Sequence, residues 1–194
     1  MESPRNLAQE AAEDIFFGQL VIIYARWFVI VAMVVLALWS ANTIDQLVVA
    51  VLFIVPLMVI NFFVHGRYLM EKPANKMLLT ILSVVDIMVI TLPILFWPGA
   101  KGIESQFYIF YDPLVLAFAF VSVARNSIVY TIFTLALYGV VCFFFSGFAF
   151  NSLWLERLTI RVLTIGAMGV LGAYYWRIQR NRLRQATELE FEAI

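Results

Sequence analysis

The run Leu47-Val48-Val49-Ala50-Val51-Leu52-Phe53-Ile54-Val55-Pro56-Leu57-Met58-Val59-Ile60-Asn61-Phe62-Phe63-Val64-His65 carries no acidic residue, lysine or arginine. A spanning helix needs about 20 mainly apolar residues, and this run meets that need almost unaided. Reading outward from it, hydrophobic residues make up 63% of the 194-residue chain and charged residues 13%, with a mean hydropathy of +0.92. A soluble domain holds roughly 45–50% apolar and about 25% charged residues. So few charges cannot cover a globular surface of this size, so lipid is the solvent for most of the chain.

Five more runs of similar character flank the first. The expected spans are Phe17–Trp39, Leu47–His65, Met77–Trp97, Tyr108–Ala124, Ile128–Phe145 and Leu158–Trp176. The fourth is short and begins beside Asp112-Pro113, which itself resembles a helix start, with a capping acid and a first-turn proline. The fold expected is an all-α, polytopic membrane bundle of six helices. It divides into an interfacial segment (residues 1–16), a transmembrane domain (17–176) and a helical extension (177–194). The acidic N-terminal stretch lacks the basic start of a cleavable signal peptide. Its Ser3-Pro4 opening suggests a short helix lying on the membrane surface.

The 13 lysines and arginines set an orientation. Ten fall on one side: Arg5, Arg26, Arg67, Lys72, Lys76, Arg125, Arg177, Arg180, Arg182 and Arg184. Lys101, Arg157 and Arg161 fall on the other. Basic residues concentrate in cytoplasmic loops, which puts both termini in the cytoplasm. No convincing internal repeat is present, and paired interrupted helices of the transporter kind are missing from the two halves.

Several chemistries drop out by count. One Cys (Cys142) and one His (His65) exclude an intramolecular disulfide and a Cys/His zinc site. No G-x-S-x-G nucleophile turn, phosphate loop or dinucleotide fingerprint occurs. Zero net charge favours no nucleic-acid partner. The chain is therefore expected not to be an enzyme.

Beyond Trp176 the sequence has no Gly or Pro as far as Ile194, so the sixth helix can continue into water. Four arginines would lie at the headgroups, with Glu188, Glu190 and Glu192 beyond them. This end reads either as a positive-inside anchor or as the start of a coiled coil with Ile178, Leu183, Ala186 and Leu189 near its seam.

Three features resemble the six-span N-terminal membrane module of bacterial sensor histidine kinases and diguanylate cyclases. They are Tyr24-Ala25-Arg26-Trp27 opening span one, Val85-Asp86-Ile87 inside span three followed by the loop Gly99–Phe107, and the run Phe107-Tyr108-Ile109-Phe110-Tyr111 leading into a span ending at Arg125. The resemblance covers residues 17–185. It implies a multi-pass protein of the bacterial inner membrane whose last helix continues toward a kinase core. The sequence departs from that pattern in holding no phospho-acceptor histidine, nucleotide-binding domain or catalytic loop.

Ionisable groups at membrane depth are costly, and they are paired or line cavities. Asp86 lies near mid-span. It reads as a protonated structural acid or as a sensing group. Asp112 and Arg161 share one end of their spans and are expected to pair, with ligand sensing as the alternative. Arg26 is expected to snorkel to the headgroups. His65 shares a helix face with Asn61 and reads as an interfacial residue bonded to it or to lipid. A single-ligand haem or pigment at His65 is left open, and no cofactor other than lipid is expected. Gly166, Gly169, Gly172 and Ala173 let helix backbones approach closely, within the chain or in a homodimer.

Two function classes follow. One is a non-catalytic sensory or anchoring module that acts through its last helix, with Asp86, Asp112 and Arg161 as candidate sensing residues. The other is an accessory subunit of a larger respiratory or photosynthetic membrane complex. Partners are accordingly the bilayer together with a second copy or other membrane subunits.

Overall fold

The computed structural model describes residues 4–70, 72, 75–145 and 152–192, with side-chain surroundings over 18–70, 72, 75, 77–145 and 152–178. Six α-helices account for most of these residues, and no strand occurs among them. They are α1 (Pro4–Ser40), α2 (Ile44–Leu69), α3 (Lys76–Phe96), α4 (Tyr111–Val121), α5 (Ala124–Phe145) and α6 (Ser152–Glu192). Two 3-10 turns, Gly102–Glu104 and Phe107–Phe110, lie between α3 and α4.

Among the described residues, five helices are long and apolar enough to cross a bilayer: the Gly18–Ser40 part of α1, then α2, α3, α5 and the Ser152–Ile178 part of α6. Together they form a multi-pass helical membrane bundle. The fourth expected span, Tyr108–Ala124, is realised as a shorter apolar segment, Phe107–Val121. The α-helix is only 11 residues long, or about 17 Å against ~30 Å of hydrocarbon. Ahead of it, Phe107–Phe110 winds as a 3-10 turn. The cap position is Phe110, which brings no side-chain hydrogen bond, and Asp112 sits inside the first turn. At its other end Ser122 is extended, at ψ 154°.

The short helix survives because protein surrounds it. It packs most extensively against α6 and α1, and Tyr111, Val115 and Ala119 are fully buried. The segment before it is buried too, with Ile103, Ser105 and Phe107 at 4% exposure or less. Non-helical backbone at membrane depth is tolerated only where protein covers it. Two glycines make this fold-back feasible, Gly99 at φ 94° and Gly102 at φ 55°, which are left-handed conformations that side chains disfavour.

The turn between α1 and α2 marks one end of the bundle, called here the loop end. Thr43 and Gln46 form a capping box there, and Gln46 Nε2 also donates to the Pro98 carbonyl at 2.9 Å, tying this turn to the folded-back loop. At the opposite, tail end, Gln19 Nε2 donates to the Val64 carbonyl at 3.0 Å. The expected separate surface helix at the N-terminus is corrected. From Pro4 the chain is one helix with the first span, because no Gly or Pro interrupts residues 5–17.

On α6 the small residues meet neighbours inside the chain. A Cβ added to Gly169 would collide with Thr131 of α5, and one added to Gly172 would collide with Ala119 of α4. Gly166 has only Leu135, at 4.0 Å. Close approach of this kind is how helices associate in lipid, where hydrophobic burial offers little net drive. Beyond Ile178 the helix continues unbroken to Glu192. The side chains of Leu183, Ala186 and Leu189, expected on a coiled-coil seam, lie outside the described residues.

Candidate functional site: a buried ion pair and an anchored loop

Asp86 is the central residue of α3, ten residues from either end, and so about 15 Å from each. Its Oδ2 accepts a hydrogen bond from Arg26 Nε at 2.7 Å, and both side chains are 1% exposed. Arg26 therefore does not reach the headgroups as expected. It lies eight residues into the spanning part of α1, and the carboxylate opposite supplies a partner that lipid does not. The attraction offsets part of the cost of removing both charges from water. The contact is single rather than forked, leaving Arg26 Nη1, Arg26 Nη2 and Asp86 Oδ1 without hydrogen-bond partners.

Polar groups from two more helices bond the backbone within a turn of the pair. Tyr130 of α5 donates its hydroxyl to the Ser83 carbonyl, one turn before Asp86, at 2.8 Å. Asn61 of α2 is fully buried and donates to the Ile23 carbonyl, one turn before Arg26, at 3.4 Å. The Asn61 Oδ1 and the buried Ser127 Oγ have no partner. α2 and α5 thus hydrogen-bond the backbone one turn from Arg26 and from Asp86 respectively.

The second constellation sits at the loop end. Arg161 of α6 does not pair with Asp112. Its Nη1 donates to the Tyr138 hydroxyl at 2.8 Å and to the Ser105 carbonyl at 3.2 Å. Its guanidinium carbon stands 3.9 Å from the centroid of the Tyr108 ring, a cation–π arrangement. The reason is positional. Tyr108 and Ser105 fold back over the bundle and occupy the space next to Arg161. Asp112, two residues beyond the 3-10 turn, instead lines a cavity against α1, with its Oδ1 lacking a partner.

Tyr111 closes the inner side of the loop. Thr91 donates to the Ile87 carbonyl at 2.6 Å, so the 2.7 Å contact between Tyr111 and Thr91 has the tyrosine as donor. Trp97 and Phe107, with centroids 4.8 Å apart, pack the start of the loop against its end.

His65 is half-buried at the tail end, where its Nδ1 accepts from Trp27 Nε1 at 3.5 Å rather than from Asn61. Its ring stands 6.5 Å from that of Tyr68. Among the described residues, no three His, Cys, Asp or Glu side chains gather as a metal-binding group would.

Of the candidates read from sequence, Asp86 and Arg161 hold polar networks, Asp112 stands apart from both, and His65 faces an indole. Sequence reasoning missed Arg26 as the partner of Asp86, and it missed Tyr108, Tyr138 and Ser105 as the partners of Arg161. Matching the two deepest opposite charges would have found the first. No local pattern signals the second, since those three residues come from a loop and from α5.

The chain matches no family model, no curated protein and no solved structure.

Proposed function

We propose that the protein is a membrane signalling module in which a change at the loop end is passed along α6 to an output beyond the tail end. The observation carrying this reading is the placement of Arg161. One residue of α6 grips the folded-back loop through Ser105 and Tyr108, and the same helix runs without a break from Ser152 to Glu192. A displacement of the loop therefore pulls on a rod that leaves the bundle. Such a shift requires a stimulus that binds two bundle states with different affinity.

Orientation completes the reading. With Arg26 removed from the flanking charges, nine basic residues still stand against three, which supports a cytoplasmic tail end and an outward loop end. The membrane is then a bacterial inner membrane, as the resemblance to sensor modules implies. For α4, protein contacts substitute for length, so the path crosses six times and both termini share a side. In its spanning part, α6 is the least covered helix, with 22% of residues buried against 33–44% for the others. That favours a second copy of the chain packing along α6.

A fusion tests the proposal. A histidine-kinase core is joined after Glu192 through helical inserts of increasing length. Kinase output is expected to vary with insert length at the helical period, and Arg161→Ala is expected to fix it at one level at every length. Output indifferent to both changes would contradict the proposal.

A further inference from the structure

A cavity of about 610 Å³ opens on the side of the bundle between α1 and the start of α4. α1 contributes Phe28, Ala32 and Val35, the loop Gln106 and Ile109, and α4 Asp112. Phe28, Val35 and Ile109 are more than half exposed. In a bilayer those surfaces face acyl chains, so the cavity is entered from lipid. Its volume lies in the range of small-molecule sites, which are largely apolar with a few placed polar groups.

Its polar groups are the Gln106 amide and a carboxyl without a counter-charge, that of Asp112. Among the described residues the only ion pair joins Arg26 to Asp86, and Arg161 is engaged by Ser105, Tyr138 and Tyr108. Asp112 Oδ1 has no hydrogen-bond partner. An apolar wall with one uncompensated acid is complementary to an alkyl chain carrying a cation. An ammonium adds ionic attraction to its hydrogen bonds with the carboxylate, which a neutral hydroxyl does not supply.

We infer that this cavity binds a lipophilic primary amine, its ammonium on Asp112 and its chain along Ala32 and Val35 of α1. The ammonium can belong to a free long-chain amine or to an ethanolamine lipid headgroup. This binding goes beyond the relay through α6 and is measured without any output domain.

The experiment uses the full chain in phosphatidylcholine nanodiscs and follows radiolabelled dodecylamine by scintillation proximity, with dodecanol as a neutral competitor of equal length. Saturable amine binding that dodecanol does not displace is expected. Asp112→Asn is expected to weaken it about tenfold or more, Asp112→Glu to retain it, and Ala32→Trp to abolish it by filling the cavity. Displacement by phosphatidylethanolamine identifies the headgroup as the natural source, and its failure to displace identifies a free amine. Binding unchanged in either Asp112→Asn or Ala32→Trp, equal competition by dodecanol, or no saturable component would each overturn the inference. Should Asp112→Asn fail to fold, Asp112→Glu and Ala32→Trp decide the question.

Discussion

Arg26 and Asp86 carry opposite charges at 1% exposure, with three of their polar atoms unpartnered. Removing one member strands the other in a medium where an isolated ion is expensive. Arg26→Ala or Asp86→Ala alone is expected to destabilise the bundle by about 3–5 kcal/mol. Replacing both with leucine removes the stranded charge and is expected to recover most of that loss. Unfolding in detergent micelles checks this, and a double variant as unstable as the summed singles would contradict it. Depth nominates the pairing, but a helix's rotation about its own axis decides which residues meet across a bundle. Depth was legible: Asp86 is centred in a run whose ends hydropathy marks. Its partner depended on packing that no single segment specifies.

At the scale of elements, α6 couples to its neighbours through glycines that are not equivalent. Overpacking a tight contact costs typically about 1–3 kcal/mol, so Gly169→Ala, pressed on Thr131, is expected to lower stability by that amount. Gly166→Ala has room and replaces a poor helix former with the best one, so it is expected to be neutral or stabilising by up to about 1 kcal/mol. Thermal unfolding of the two variants side by side provides the check, and equal losses would contradict the contacts assigned to α6. Five helices were legible because about 20 apolar residues in a row admit one main reading in lipid. The fourth was legible only as a short span. Whether Phe107–Phe110 joins α4 or coils back over the bundle turns on contacts with Trp97 and on Gly102, both remote from its own hydropathy.

The whole molecule has one end closed by a folded-back loop and another from which a long helix departs. Charge sorting predicts which faces outward. An impermeant maleimide applied to intact cells is expected to label Lys101→Cys, and to label Ala186→Cys only after permeabilisation, both in a Cys142→Ser background. The reverse pattern would invert the orientation and with it the direction of the relay. Composition made the bilayer legible at once, since 13% charge leaves no alternative solvent. The proposed link between the two ends was not legible. Arg161 reads as one of a few outer charges until Ser105, Tyr108 and Tyr138 are seen around it.

That link is open to direct measurement. Spin labels at Met70→Cys, at the end of α2, and at Ala186→Cys, on the extension of α6, report the position of the departing helix by double electron–electron resonance in nanodiscs. Arg161→Ala is expected to release the loop and to shift or broaden the distance distribution between the labels. Superimposable distributions, with the loop shown to be free by a third label at Lys101→Cys, would mean that α6 does not carry what happens at the loop end.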